Sequence, residues 1–172
     1  MKNTIIFLSG LLIFSLGTLS SIQAQVEKVA IRVDGLSCPF CAYGLEKKLK
    51  KVEGVEKVEI NVKEGVAALQ NKKGKSIAVE NLESVVKDAG FTPREITATV
   101  VGKLGQSDDT PIFFTDGSEV EFILKENEPL QKLLSAGSGK LVKITGLLTH
   151  ETPEEHHAHP FTLTTEKFEV LP

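Results

Sequence analysis

The pattern that most constrains this 172-residue chain is a change of hydrophobic period that falls on its two cysteines. Upstream, Val29, Ile31 and Val33 alternate with Lys28, Arg32 and Asp34, the period-two signature of a half-buried strand. Downstream, Cys41, Leu45, Leu49 and Val52 recur at helical spacing against charges at Glu46, Lys47, Lys48, Lys50 and Lys51. Cys38 and Cys41 therefore lie where a strand turns into a helix. Gly35 relaxes the turn, and Pro39 suits a first helical turn because its missing N–H has no partner to lose there. A helix start points unpaired amides and partial positive charge at the two sulfurs, which favours thiolate.

Thiolate at a bend serves three chemistries: capture of a soft metal ion, thiol–disulfide exchange, and a static bridge. Two thiolates three residues apart can approach a d10 cation from opposite sides, and a two-ligand site stays open to an incoming thiolate. Cys-Pro-Phe-Cys is also the kind of motif that thioredoxin-like oxidoreductases carry between strand and helix. That fold needs a longer pattern and a proline-bearing strand facing the pair. Thr92-Pro93 is the one candidate, and it lies in the last strand of a smaller unit.

That smaller unit follows from the next segments. Gly54 fits the left-handed position after a helix. Val58, Ile60 and Val62 alternate with polar residues, Lys63-Glu64-Gly65 turns the chain, and Val66 to Leu69 returns it, forming a hairpin. From about Ala78, a stripe of Leu82, Val85, Val86 and Ala89 predicts a second helix ending at Gly90, and Phe91 to Ile96 predicts a strand. The order is β-α-β-β-α-β, a ferredoxin-like split βαβ with two helices on one face of a four-stranded sheet.

Asp34-Gly35-Leu36-Ser37-Cys38-Pro39-Phe40-Cys41 resembles the G-M-x-C-x-x-C loop of heavy-metal-associated domains, the family of copper chaperones and the periplasmic mercuric-ion binding protein. Leu45 to Leu49, Val52-Glu53-Gly54-Val55 and Ala89-Gly90-Phe91 agree with it, so the resemblance covers residues 27 to 96. It implies that Cys38 and Cys41 are the metal ligands, with a soft ion such as Cu(I), Hg(II), Zn(II) or Cd(II) as cargo. Leu36 stands where the family usually has the methionine that packs the loop from beneath. Phe91 stands where it commonly has an aromatic residue or lysine.

Residues 1–24 carry one charge, Lys2, then an apolar run from Ile5 to Leu19 and small residues up to Ala24. This is the pattern of a secretory signal peptide, too short for a comfortable span and without basic residues beyond it. The expected address is periplasmic or otherwise secreted, with no membrane-spanning segment after cleavage. An oxidising compartment permits a disulfide, but two cysteines are not a framework. The only methionine is Met1, which leaves with the leader, so no thioether copper site forms.

Charge divides the rest. Residues 25–96 hold 13 Lys+Arg against 11 Asp+Glu, a net of +2, whereas 97–172 hold 6 against 12, a net of −6. Two domains, 25–96 and 97–172, are expected, joined stiffly because Thr97 to Val101 continues as strand without a Pro/Gly/Ser linker. In the second, Ile112 to Thr115 and Val120 to Leu124 flank Asp116-Gly117, a hairpin signal. Pro129 opens a helix with Leu130, Leu133 and Leu134 on one side, and Leu141 to Leu148 and Phe161 to Leu171 are strands. This order predicts a small five-stranded OB-like barrel, giving an α+β chain overall. Nucleic acid is not its expected partner: the module is acidic, and no Lys/Arg stripe interleaves with Phe113, Phe114, Phe122, Phe161 or Phe168, which are expected to fill the barrel.

All four histidines fall between His150 and His159, and His156, His157 and His159 form a candidate auxiliary site for a borderline ion, with Glu154 or Glu155 adding oxygen. No Ser/His/Asp set, phosphate-cradling loop or paired-carboxylate motif stands out. The function expected is a non-enzymatic, exported carrier of a soft metal ion, serving a metal-transporting membrane protein or another thiol-bearing acceptor. The alternatives are a thiol–disulfide oxidoreductase using the same pair and an interaction protein with a static disulfide.

Overall fold

A computed structural model describes residues 25–107, 110–115, 121–137, 139–150 and 161–172. The leader, the Asp116-Gly117 turn and the stretch 151–160 lie outside the described residues. The strand β1 (Gln25–Asp34) leads into the helix α1 (Pro39–Leu49), the hairpin β2 (Val55–Asn61) and β3 (Val66–Asn71), and α2 (Leu82–Asp88). A 16-residue strand, β4 (Thr92–Ser107), follows. Then come β5 (Thr110–Phe114), β6 (Glu121–Lys125), α3 (Glu128–Gly137), β7 (Leu141–His150) and β8 (Phe161–Val170).

The first half is a ferredoxin-like layer with strand order β2-β3-β1-β4, all antiparallel. Alternation chooses its faces. Val29, Ile31, Val33, Val58, Ala67 and Leu69 are buried against Leu45, Leu49, Leu82 and Val86 of the two helices. The second half closes on itself: β4 pairs β5, β5 pairs β6, β6 pairs β8 in parallel, β8 pairs β7, and β7 returns to β4. Phe113, Phe122, Leu124, Ile144 and Leu163 fill this ring, with Leu130 and Leu133 of α3 added from one end. Phe161 is buried as expected, while Phe114 and Phe168 are only half-buried.

β4 belongs to both layers. On one edge it pairs β1 from Asp34↔Thr92 to Gln25↔Val101, and on the other it pairs β7 from Ile96↔Leu148 to Lys103↔Leu141. Ile96, Ala98 and Val100 point to one side, where they meet both the helix-covered face and the barrel interior. The buried residues of the two halves accordingly form one connected cluster. The composition boundary at residue 96 falls inside this strand.

Two sequence expectations shift. The second helix begins at Leu82 rather than near Ala78. Residues 77–79 instead have no regular secondary structure, with the Ile77 amide on the Val26 carbonyl at 3.2 Å and the Ala78 amide on the Glu53 carbonyl at 3.1 Å, and Ile77 and Val79 are buried. Helix α1 ends at Leu49, before Val52, and the chain passes through turns to Gly54. Gly54 has φ of +78°, and a Cβ there would lie 1.8 Å from the Ser76 carbonyl oxygen, so only glycine fits.

A shared core couples the halves energetically. Ile144→Ala, in a fully buried barrel position, is expected to cost about 2–5 kcal/mol. Hydrogen exchange should then quicken at β1 amides as well as at β8 amides. Quickening confined to β7 and β8 would show that the layers open separately.

Candidate metal centre

β1 delivers the chain to the site and α1 carries it away. Asp34, the last residue of β1, is ion-paired with Arg94 of β4 at 2.6 Å, and Gly35 then takes φ of +86°. The Ser37 amide donates to the Gly35 carbonyl at 2.9 Å, closing a tight bend. Leu36 points inward and is only 4% exposed, so leucine supplies the apolar anchor beneath the loop. The Phe91 ring lies against Gly35, where a Cβ would sit 3.8 Å from its Cδ1.

Cys38 is the N-cap of α1, with extended backbone (φ −120°, ψ 125°) and Pro39 next in the first turn. Its carbonyl accepts the Ala42 amide at 3.0 Å, which starts the helix. Its side chain caps nothing and is left for other chemistry. Cys38 is half-buried and Cys41 exposed, and both are free thiols. Sequence periodicity puts Cys41 on the buried stripe with Leu45 and Leu49. The structure puts Ala42 there and leaves Cys41 exposed.

The two thiols titrate apart. The Cys41 backbone amide, then the Cys41 thiol and the Phe40 amide, hydrogen-bond to Cys38 and hold its pKa below the ordinary thiol value. These are first-turn amides of the helix, the electropositive end expected from the sequence. Cys41 is pushed up, first by its hydrogen bond to Cys38, then by desolvation and the nearby Cys38 charge. As pH rises Cys38 ionises first, and Cys41 holds a proton against it. A metal ion that needs both thiolates must displace that proton, so affinity falls as pH falls.

Among the described residues no cluster of three or more His, Cys, Asp or Glu side chains is placed to hold a metal ion. The candidate centre is thus a thiol pair with an open side. His150, on the barrel rim, stacks on Phe161 with ring centroids 5.0 Å apart. His156, His157 and His159, with Glu154 and Glu155, lie outside the described residues.

Sequence reasoning missed two neighbours. Phe40 is 90% exposed and Tyr43 57%, the large hydrophobic residues left in solvent among the described ones, and Lys47 Nζ sits 4.6 Å from the centre of the Tyr43 ring. A helical projection carries the signal, since Phe40, Tyr43 and Lys47 fall opposite Leu45 and Leu49.

A ferredoxin-like layer that ends a strand in an open dithiol at a helix N-terminus defines the class: a small metal-binding domain. The chain belongs to the heavy-metal-associated domain family, whose model matches residues 30–92. It is 30% identical over 61 residues to the copper chaperone CopZ of Staphylococcus aureus (strain bovine RF122 / ET3-1), covering 36% of this chain and 88% of that one. It is 31% identical over 75 residues to a mercuric reductase of Shewanella putrefaciens, covering 41% of this chain but 14% of the reductase. Among solved structures, oxidised MerP from Ralstonia metallidurans CH34 is 29% identical, with a TM-score of 0.36 over 40% of this chain and 94% of that one.

Alkylation tests the split titration. Cys41 is the more exposed thiol, yet Cys38 is the easier to ionise. Under limiting iodoacetamide at neutral pH, peptide mapping should find Cys38 modified first, with the preference shrinking as pH rises and Cys41 also ionises. Faster labelling of Cys41 at neutral pH would mean that exposure, not thiolate content, governs the site.

Proposed function

We propose that this protein is an exported carrier that takes up one soft metal ion between Cys38 and Cys41 and passes it on by ligand exchange. The observation that supports this most is the state of the pair: two hydrogen-bonded free thiols at a helix start, one of them exposed, with no third ligand among the described residues. Thiolate selects Cu(I), Hg(II), Zn(II) or Cd(II) over hard cations, which would find no oxygen cage. The open side admits an acceptor's thiolate, so the ion can move through a shared intermediate without ever being released into water. The acceptor is a metal-transporting membrane protein or another thiol-bearing protein. Membership of the heavy-metal-associated family and the likeness to a copper chaperone support this reading.

Export rests on the leader-like pattern of residues 1–24. For the C-terminal half, the ring order β4-β5-β6-β8-β7, the parallel β6–β8 pair and α3 between β6 and β7 support an OB-type barrel spanning residues 97–172. Its acidity argues for a structural or protein-contact role rather than a nucleic-acid one.

Native mass spectrometry of reduced protein offered the four ions in competition should show one ion per chain. Cys38→Ser and Cys41→Ser should each weaken binding by at least about a hundredfold, since either leaves a single thiolate. Unchanged affinity in both single variants would remove the carrier reading. Oxidation to the disulfide should abolish binding. Rapid multiple-turnover reduction of a model disulfide would instead favour the oxidoreductase.

The histidine stretch supports at most a weak second site. In a Cys38→Ser, Cys41→Ser protein, Zn(II) binding by His156, His157 and His159 should be measurable near neutral pH and lost near about pH 5, as the imidazoles protonate. Absence of binding at neutral pH would rule this site out.

A further inference from the structure

Helix α1 has two faces. Ala42, Leu45 and Leu49 are buried against the sheet. On the opposite side, at helical spacing, lie Phe40, Tyr43, Gly44 and Lys47, with Lys51 continuing the row just beyond the helix end. All five are exposed. The two rings occupy the first half of this row, Lys47 and Lys51 the second. Lys47 rests on the Tyr43 ring, and the Lys51 ammonium is in no ion pair among the described residues. Glu46, on the same helix, is already taken by Lys50 at 2.6 Å.

Gly44 adds an independent observation. Glycine weakens a helix interior, and packing does not require it here, because a Cβ at Gly44 would meet nothing within 4 Å. What it does is flatten the outer face between Phe40, Tyr43 and Lys47.

We propose that the outer face of α1 seats the protein on an anionic phospholipid surface. Phe40 and Tyr43 would enter the interfacial layer, and Lys47 and Lys51 would meet the headgroup phosphates. Two exposed rings beside non-directional positive charge match a bilayer interface. The helix is about 16 Å long, too short to span, so it lies along the surface. Charge orients the molecule the same way: residues 25–96 carry +2 and 97–172 carry −6, so a negative surface draws the α1 side in and pushes the barrel out. Seated in this way, the dithiol at the start of α1 rests at the membrane surface. The proposal stands apart from metal binding and does not depend on it.

The test is vesicle flotation of residues 25–172, which hold every described element without the apolar leader that would itself bind lipid. Phosphatidylglycerol-rich vesicles should carry the protein at low salt and release it as salt rises, while phosphatidylcholine vesicles should not carry it. Lys47→Glu/Lys51→Glu and Phe40→Ser/Tyr43→Ser should each weaken recruitment about tenfold or more. Gly44→Glu, which has open space for its side chain, should do the same with the fold intact by circular dichroism. Lys140→Glu, exposed on the barrel, should change recruitment little. Failure to float with anionic vesicles, insensitivity to the α1 substitutions, or an equal loss with Lys140→Glu would each overturn the proposal. A protein that still binds its metal ion but not these vesicles would leave the carrier reading intact and give this face to a protein partner.

Discussion

The pairing of β4 on both edges over the same residues is what the rest of the architecture hangs on. A four-stranded ferredoxin-like sheet of order β2-β3-β1-β4 leaves β4 as an edge with unpaired amides and carbonyls. Here β7 takes that edge from Ile96 to Lys103, and the strand that finishes one layer starts the other. Lys143 of β7 reaches across β4 to Glu27 of β1 at 3.0 Å, with both groups largely covered, so the three strands are tied by side chains as well as backbone. Ile96, Ala98 and Val100 cannot be assigned to one half, because removing either half would expose them.

This geometry sets which elements meet at the end of the molecule that carries the two cysteines. β1 ends at Asp34 opposite Thr92, the β2–β3 turn comes back to the same end, where the Gly65 carbonyl accepts the Val33 amide at 2.8 Å, and β7 runs toward that end to finish at His150. The thiol loop, the hairpin turn and the barrel rim therefore share one end of a continuous sheet. The loop is held from below by Leu36 and Phe91 and at its root by Asp34 and Arg94, while the sulfurs remain outside this packing. The backbone of the bend is thus held in place while Cys41 stays exposed and Cys38 half-buried.

Much of this could be read from residues. The switch from period two to helical spacing at Cys38-Pro39 needs no tertiary information, because Pro39 and the strand alternation are local. The β-α-β-β-α-β order and the ring of strands around Phe113 and Phe122 followed from the same patterns. The second helix was less legible, because Ala78 and Leu82 are spaced as in a helix, but residues 77–79 are recruited by the Val26 and Glu53 carbonyls, partners far away in sequence. The Asp116-Gly117 hairpin shows the converse: its turn lies outside the described residues, yet the two strands it was expected to join do pair, Ile112 with Ile123 and Phe113 with Phe122.

The sequence by itself determined the place of the dithiol, a strand end meeting a helix start, and the Leu45 and Leu49 stripe of α1, because both depend on neighbours within a few residues. Only the tertiary structure decided that the Cys38 pKa is lowered while that of Cys41 is raised, that Cys41 faces solvent while Ala42 is buried, and that the two halves share a core through β4. Those outcomes depend on which amides reach a sulfur, which side of a helix packs on its sheet, and which strand claims an open edge. Each is a contact between atoms that sequence spacing alone does not bring together.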